Sequence, residues 1–144
     1  MTYKHRQIGY VIQVSMCIAA VFAAGISCCT ARPLIPWALS VICVLTVFLF
    51  GSLTIEITDK KLKWSFGIGL VRKNIDMANV TSVEPVKNPW LYGWGIHLTP
   101  HGWLYNVSGW EAVQIRLKNG KQFRLGTDEP EALAGAITSA MGTS

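Results

Sequence analysis

The chain has 144 residues, a net charge of +5, 51% hydrophobic residues and only 15% charged ones, against about 25% charged in an ordinary soluble domain. All eight acids lie after Ser52, while Lys4, Arg6 and Arg32 are the only charged side chains before Glu56. That distribution implies an apolar anchor joined to one modest polar domain. The domain itself is only weakly basic, which argues against a nucleic-acid-binding face.

In chain order, the first element is an apolar run from Ile8 to Ala31 with no charged residue, about 36 Å long as a helix. Arg32-Pro33 interrupts it, and Leu34 to Leu53 is a second uncharged run of about 30 Å. A bilayer's hydrocarbon core is about 30 Å thick, so both runs are expected to span it as a two-helix transmembrane hairpin. Pro36-Trp37 fits an interfacial helix start. Lys4 and Arg6 before the first run, and Lys60, Lys61 and Lys63 after the second, predict that both termini are cytoplasmic, with the protein multi-pass in the inner or plasma membrane. Ala20, Ala24 and Cys28 form a small-residue stripe suited to close helix packing. Cys17, Cys28, Cys29 and Cys43 all fall inside the apolar runs and read as small hydrophobes, not a disulfide framework. A cleaved leader ending near Cys28 is disfavoured, because the apolar run far exceeds the usual leader core.

From Leu53 the hydrophobic period changes to two. Leu53, Ile55 and Ile57 alternate with polar residues, as do Leu62, Trp64 and Phe66. A two-residue loop at Asp59-Lys60 pairs Ile57 with Leu62 and Ile55 with Trp64, so all the apolar side chains share a face. Strands are expected over Leu70–Ile75 and Val80–Val86. Trp94–Thr99 and Trp103–Val107 read as a hairpin around Pro100-His101-Gly102. Val113 to Leu117 and Gln122 to Leu125 are expected to pair through a three-residue turn with Gly120 left-handed, which aligns Ile115 with Phe123 and Val113 with Leu125. A final helix starts near Asp128-Glu129-Pro130, with Asp128 and Glu131 as a capping box. Leu133, Ile137 and Met141 give it one apolar face. Positions 1–52 are thus expected to form the anchor and 53–144 an all-β barrel or sandwich of about seven antiparallel strands closed by a C-terminal helix.

Ile57-Thr-Asp-Lys-Lys-Leu62 with Trp64, Val80-Thr-Ser-Val-Glu-Pro85, and Gly126-Thr-Asp-Glu-Pro130 leading into the last helix give the region from Leu53 to Met141 a resemblance to bacterial pleckstrin-homology-like (PH-like) domains. The resemblance implies a membrane-anchored interaction or assembly module without a catalytic motif or cofactor.

Two surfaces are candidates. Trp90, Tyr92 and Trp110 belong to a segment dense in aromatics and are the residues expected to be exposed for a protein partner or a second copy of the chain. Lys60, Lys61, Lys63, Arg72 and Lys73 form the alternative, a cationic surface for anionic phospholipid headgroups. His97 and His101 are four apart, but Pro100 and Gly102 oppose the helix that would align them on a metal. No Gly-rich phosphate loop is present, and neither apolar run carries an Asp, Glu, His, Lys or Arg, which disfavours a transporter or intramembrane enzyme.

Overall fold

The computed structural model describes residues 2–58 and 60–142. It consists of two N-terminal helices packed together, two β-sheets, and a C-terminal helix lying on the sheets.

The chain begins with a strand, β1 (Tyr3–Ile8), then α1 (Tyr10–Cys29) and α2 (Leu34–Phe50). Both helices are shorter than the apolar runs that contain them. Gly51 caps α2, its amide bonded to the Val47 carbonyl at 2.8 Å, and Ser52 already belongs to the next strand. The 20-residue α1 is long and apolar enough to cross a membrane; α2, at 17 residues, is a shorter apolar helix. The helices touch through small side chains. Ser40 donates its hydroxyl proton to the Ala20 carbonyl at 3.1 Å, and Ala20, Ser27 and Ser40 are buried. Of the small-residue stripe, Ala20 is buried, Ala24 half-buried and Cys28 exposed. The four cysteines are free thiols.

The β-region follows with β2 (Ser52–Thr58), β3 (Lys61–Phe66), β4 (Val71–Asp76), β5 (Val80–Lys87), β6 (Gly95–Thr99), β7 (Gly102–Asn106), β8 (Glu111–Leu117) and β9 (Gln122–Gly126), then α3 (Pro130–Met141). One sheet has the order β1-β2-β3-β4 and the other β5-β8-β9-β7-β6. The predicted registers hold at both hairpins: Ile57 faces Leu62 and Ile55 faces Trp64, while Ile115 faces Phe123 and Val113 faces Leu125. Gly120 is left-handed at φ 81°, as the three-residue turn requires. In the Asp59-Lys60 loop, Asp59 lies outside the described residues.

Three expectations are corrected. There are nine strands among the described residues against about seven expected: eight from Ser52 onward, and β1, which no expectation covered and which pairs with β2 from Tyr3↔Ile57 to Ile8↔Ser52. The sheets are not purely antiparallel: β7 runs parallel to β9. Gly102, where β7 begins, lies so close to the Gln122 carbonyl that any Cβ would clash. Asp128 does not cap α3; Glu129 holds the N-cap position with no side-chain bond, and the Asp128 carboxylate meets His5 Nε2 at 2.6 Å.

The core lies between the sheets. Leu53, Ile55, Ile57, Leu62 and Phe66 from one sheet and Val113, Ile115 and Leu125 from the other are essentially inaccessible, each worth about 1.5–3 kcal/mol of burial. Trp64 stacks on Phe123 with ring centroids 5.0 Å apart and also touches Tyr105 at 5.4 Å. α3 packs on β5, β8 and β2 with fully buried Leu133 and Ile137. Phe50, the last residue of α2, sits edge-on to Phe66 at 5.9 Å, so the helical pair and the β-core are joined by packing as well as by chain.

Candidate functional site

The β-region has two ends, defined by its connection to the helices. β1 enters α1 through Gly9 alone, and α2 enters β2 through Gly51 alone. The Gly9 amide bonds the Gly51 carbonyl at 2.9 Å, continuing the β1–β2 ladder. The helical pair is thus inserted at the closed end of a β-hairpin, and everything near Gly9 and Gly51 forms the helix-proximal end.

The five cations of the lipid alternative do not all converge. Alternation along the strands puts Lys61, Lys63 and Arg72 on the outer face of the first sheet, in rows with Asp76, with Glu56 and Asn74, and with Thr54 and Ser65 respectively. Lys60 and Lys61 lie at the far end, the length of β2 from Ser52, roughly 20 Å at 3.3 Å per residue. They follow the second apolar run in sequence but not in space. Lys73 falls on the opposite face, where its ammonium donates to the Tyr105 hydroxyl at 2.9 Å. A shallow depression of about 150 Å³ is lined by three of the five, Lys63, Arg72 and Lys73, but Glu56 sits among them and opposes an anion. Arg6, read from the sequence only as an orientation signal, shares the Arg72 row through Thr54 and Ser65, near the helix-proximal end.

The three aromatic candidates also part company. Trp90 is 73% exposed, as is its neighbour Leu91. Tyr92 is half-buried, and Trp110 is half-buried against Trp94 at a centroid distance of 5.2 Å. Their segment is helix-proximal. The Asn88 amide bonds the Trp110 carbonyl at 2.6 Å. The adjoining Ser108 carbonyl accepts from Gln7 Nε2 at 3.2 Å, and Val107 abuts Gly9.

Beneath this segment lies a polar cluster that sequence reasoning missed. Arg124 is buried on the outer face of the second sheet, donating from Nη1 to Asn88 Oδ1 at 2.8 Å and from Nε and Nη2 to Gln114 Oε1 at 3.1 and 3.0 Å. Gln114 is in turn fixed by Gln122 at 2.9 Å. Burial lowers the guanidinium pKa, while Tyr92 and Glu84 oppose the shift. Through Asn88 the cluster clamps the start of the Asn88–Trp94 segment to the sheet; the Asn88 Nδ2 donor is buried without a partner.

At the far end lies a different surface. Leu98 and Trp103 are cross-strand partners, 71% and 46% exposed. They share the inward parity of Tyr105 but remain exposed, and β6 is an edge strand. His97 bonds the Trp94 carbonyl at 2.5 Å through Nε2, and among the described residues no group of three or more His, Cys, Asp or Glu side chains is placed to hold a metal.

The chain matches no family model and no curated protein.

Proposed function

We propose that this chain is a membrane-anchored, non-catalytic interaction module of PH-like type that binds a protein partner or a second copy of itself, with α1 and α2 as its anchor. Several features support the anchor. Only 17% of the most apolar stretch of α1 is buried within the protein, and Ile18, Val21, Phe22, Ile35 and Ile42 are exposed. Such a surface suits lipid rather than water. Lys4 and Arg6 precede α1 at the domain end and Arg32 alone marks the opposite end, a bias that favours a cytoplasmic domain. A cleaved leader would remove β1 from the sheet. The PH-like reading draws on the sequence resemblance and on two packed sheets with a closing helix; β1 and the parallel β7–β9 pair are additions to the simple antiparallel pattern.

The single observation that carries the interaction reading is the Leu98–Trp103 pair beside the unpaired edge of β6. An exposed aromatic–aliphatic pair on a free edge offers a partner both an apolar anchor and a strand to extend. On this reading the partner surface is at the far end, and the Trp90 segment, at the helix end, is not part of it. The anionic-headgroup alternative rests on Lys63, Arg72 and Lys73 around one shallow depression, with Arg6 in the Arg72 row and Lys60 and Lys61 apart from them at the far end.

The test is site-specific photocrosslinking of the full-length protein in cells. A photoreactive residue at Leu98 is expected to yield a discrete adduct, identifiable by mass spectrometry and lost in Trp103→Lys, whereas one at Thr81 yields none. Absence of an adduct at Leu98 in a membrane-localised protein would sink the interaction reading.

A further inference from the structure

We propose that the β-domain is seated in the membrane interface, with one apolar tip from each sheet, Ile68-Gly69-Leu70 and Trp90-Leu91, immersed at the boundary between headgroups and acyl chains. The inference rests on the anchor reading above and goes beyond it, because an anchor alone permits a domain held clear of the bilayer.

The first tip is the turn between β3 and β4. Ile68 and Leu70 are 67% and 72% exposed, among the most exposed aliphatic side chains outside the helices. The turn is fixed against the end of α2: the Ile68 amide bonds the Phe48 carbonyl at 3.2 Å, and the Gly67 amide bonds the Ser52 carbonyl at 2.8 Å. Gly67 lies so tightly on the Phe48 and Leu49 carbonyls that no side chain fits there. Ile68 therefore occupies the same depth as the last turn of α2. Any bilayer that surrounds Phe48 reaches Ile68.

The second tip comes from the other sheet. Trp90 and Leu91 begin the short helical turn after β5, which is held to the helix-proximal end through Asn88, Trp110 and the Ser108–Gln7 bond. An exposed Trp beside an exposed Leu is the side-chain chemistry of a membrane–water boundary, amphipathic ring next to apolar chain.

Length points the same way. A 17-residue α2 spans about 25 Å, short of a hydrocarbon core of about 30 Å. The deficit is met if the bilayer rises over the base of the β-domain, where these two tips lie. Arg6 and Arg72 stand one row above, at the level of lipid phosphates. Single glycines on both connections leave little freedom to hold the domain away.

The experiment is spin-label accessibility in the full chain reconstituted into phosphatidylethanolamine/phosphatidylglycerol vesicles. The four native cysteines are replaced by serine or alanine, and single labels are placed through Ile68→Cys, Leu91→Cys, Lys60→Cys and Leu98→Cys, with Val14→Cys and Leu45→Cys in the helices. The expected result is that labels at 68 and 91 collide with oxygen in preference to a water-soluble nickel chelate, as those at 14 and 45 do, while labels at 60 and 98 show the reverse. Water-like accessibility at 68 or 91 with lipid-like accessibility at 14 and 45 overturns the seat and leaves the anchor standing. Water-like accessibility at 14 and 45 overturns the anchor and the seat together.

Discussion

Several residues carry more of the architecture than their chemistry in isolation would indicate. Arg124 is a buried cation whose hydrogen-bond partners are neutral amides. Arg124→Ala would strand the Asn88 and Gln114 acceptors in the protein interior and release the Asn88–Trp94 segment. A loss of about 3 kcal/mol is expected, readable as a lower melting temperature in detergent. Gly67 is left-handed at φ 49° and pressed on the end of α2; Gly67→Ala is expected to cost about 2 kcal/mol or more by the same measurement. Tyr3 gives a pH signature. Burial first, and then Glu129 and Asp128, raise its pKa above the ordinary value of 10.0. Above that pH the unfolded chain releases the phenol proton while the folded chain keeps it, so this contribution to stability is intact below pH 10.0 and falls as pH rises toward the folded pKa. Melting temperatures compared between pH 9 and pH 11 are expected to fall less in Tyr3→Phe than in the parent.

At the scale of elements, legibility in the sequence depended on whether a strand wrote an apolar alternation. β2 and β3 do so, and β8 and β9 do so with Gly120 between them; their registers follow from pairing apolar residues with apolar residues, since a one-residue slip would turn the core outward. β1 does not. Its inward side chains are Tyr3, His5 and Gln7, polar or amphipathic groups that contact the rim of the core and the start of α3. Nothing in their period separates them from the flank of an apolar helix. The same gap misplaced the candidate cations. Sequence proximity to the second apolar run reads Lys60, Lys61 and Lys63 as juxtamembrane, whereas an extended β2 carries them away from the helices. Trp110 was missed as a half-buried residue because its partner, Trp94, comes from a different loop. The importance of β1 is open to a direct check. A fragment beginning at Leu53 lacks β1 and leaves β2 as an open edge above Leu53, Ile55 and Ile57, so it is expected to aggregate. A chain in which residues 10–50 are replaced by a short glycine-containing turn keeps the Gly9–Gly51 closure and is expected to give a monodisperse protein with the β-sheet circular dichroism of a folded domain.

For the whole molecule, the arrangement separates two surfaces by function. The helix end, with Ile68, Leu70, Trp90 and Leu91, is the one proposed to meet lipid, and the far end, with Leu98 and Trp103, the one proposed to meet a partner. The two proposals predict opposite responses to charge. Leu91→Glu is expected to weaken seating without abolishing the Leu98 crosslink, and Leu98→Glu to abolish partner capture while leaving labels at 68 and 91 lipid-exposed.

The insertion of α1 and α2 into the closed end of the β1–β2 hairpin has a consequence for biogenesis. β1 is synthesised before either helix, yet its six partners, Ser52 to Ile57, emerge only after both. With the helices as the anchor, the two halves of that ladder meet only when the chain has crossed the bilayer and returned, so an N-terminus left on the wrong side has no strand to join. The domain then completes its first sheet only on correctly inserted chains, and protease resistance of the β-region becomes a report of topogenesis. Adding cations beside Arg32 to trap the chain with one crossing should leave Leu53–Ser144 synthesised but protease-sensitive.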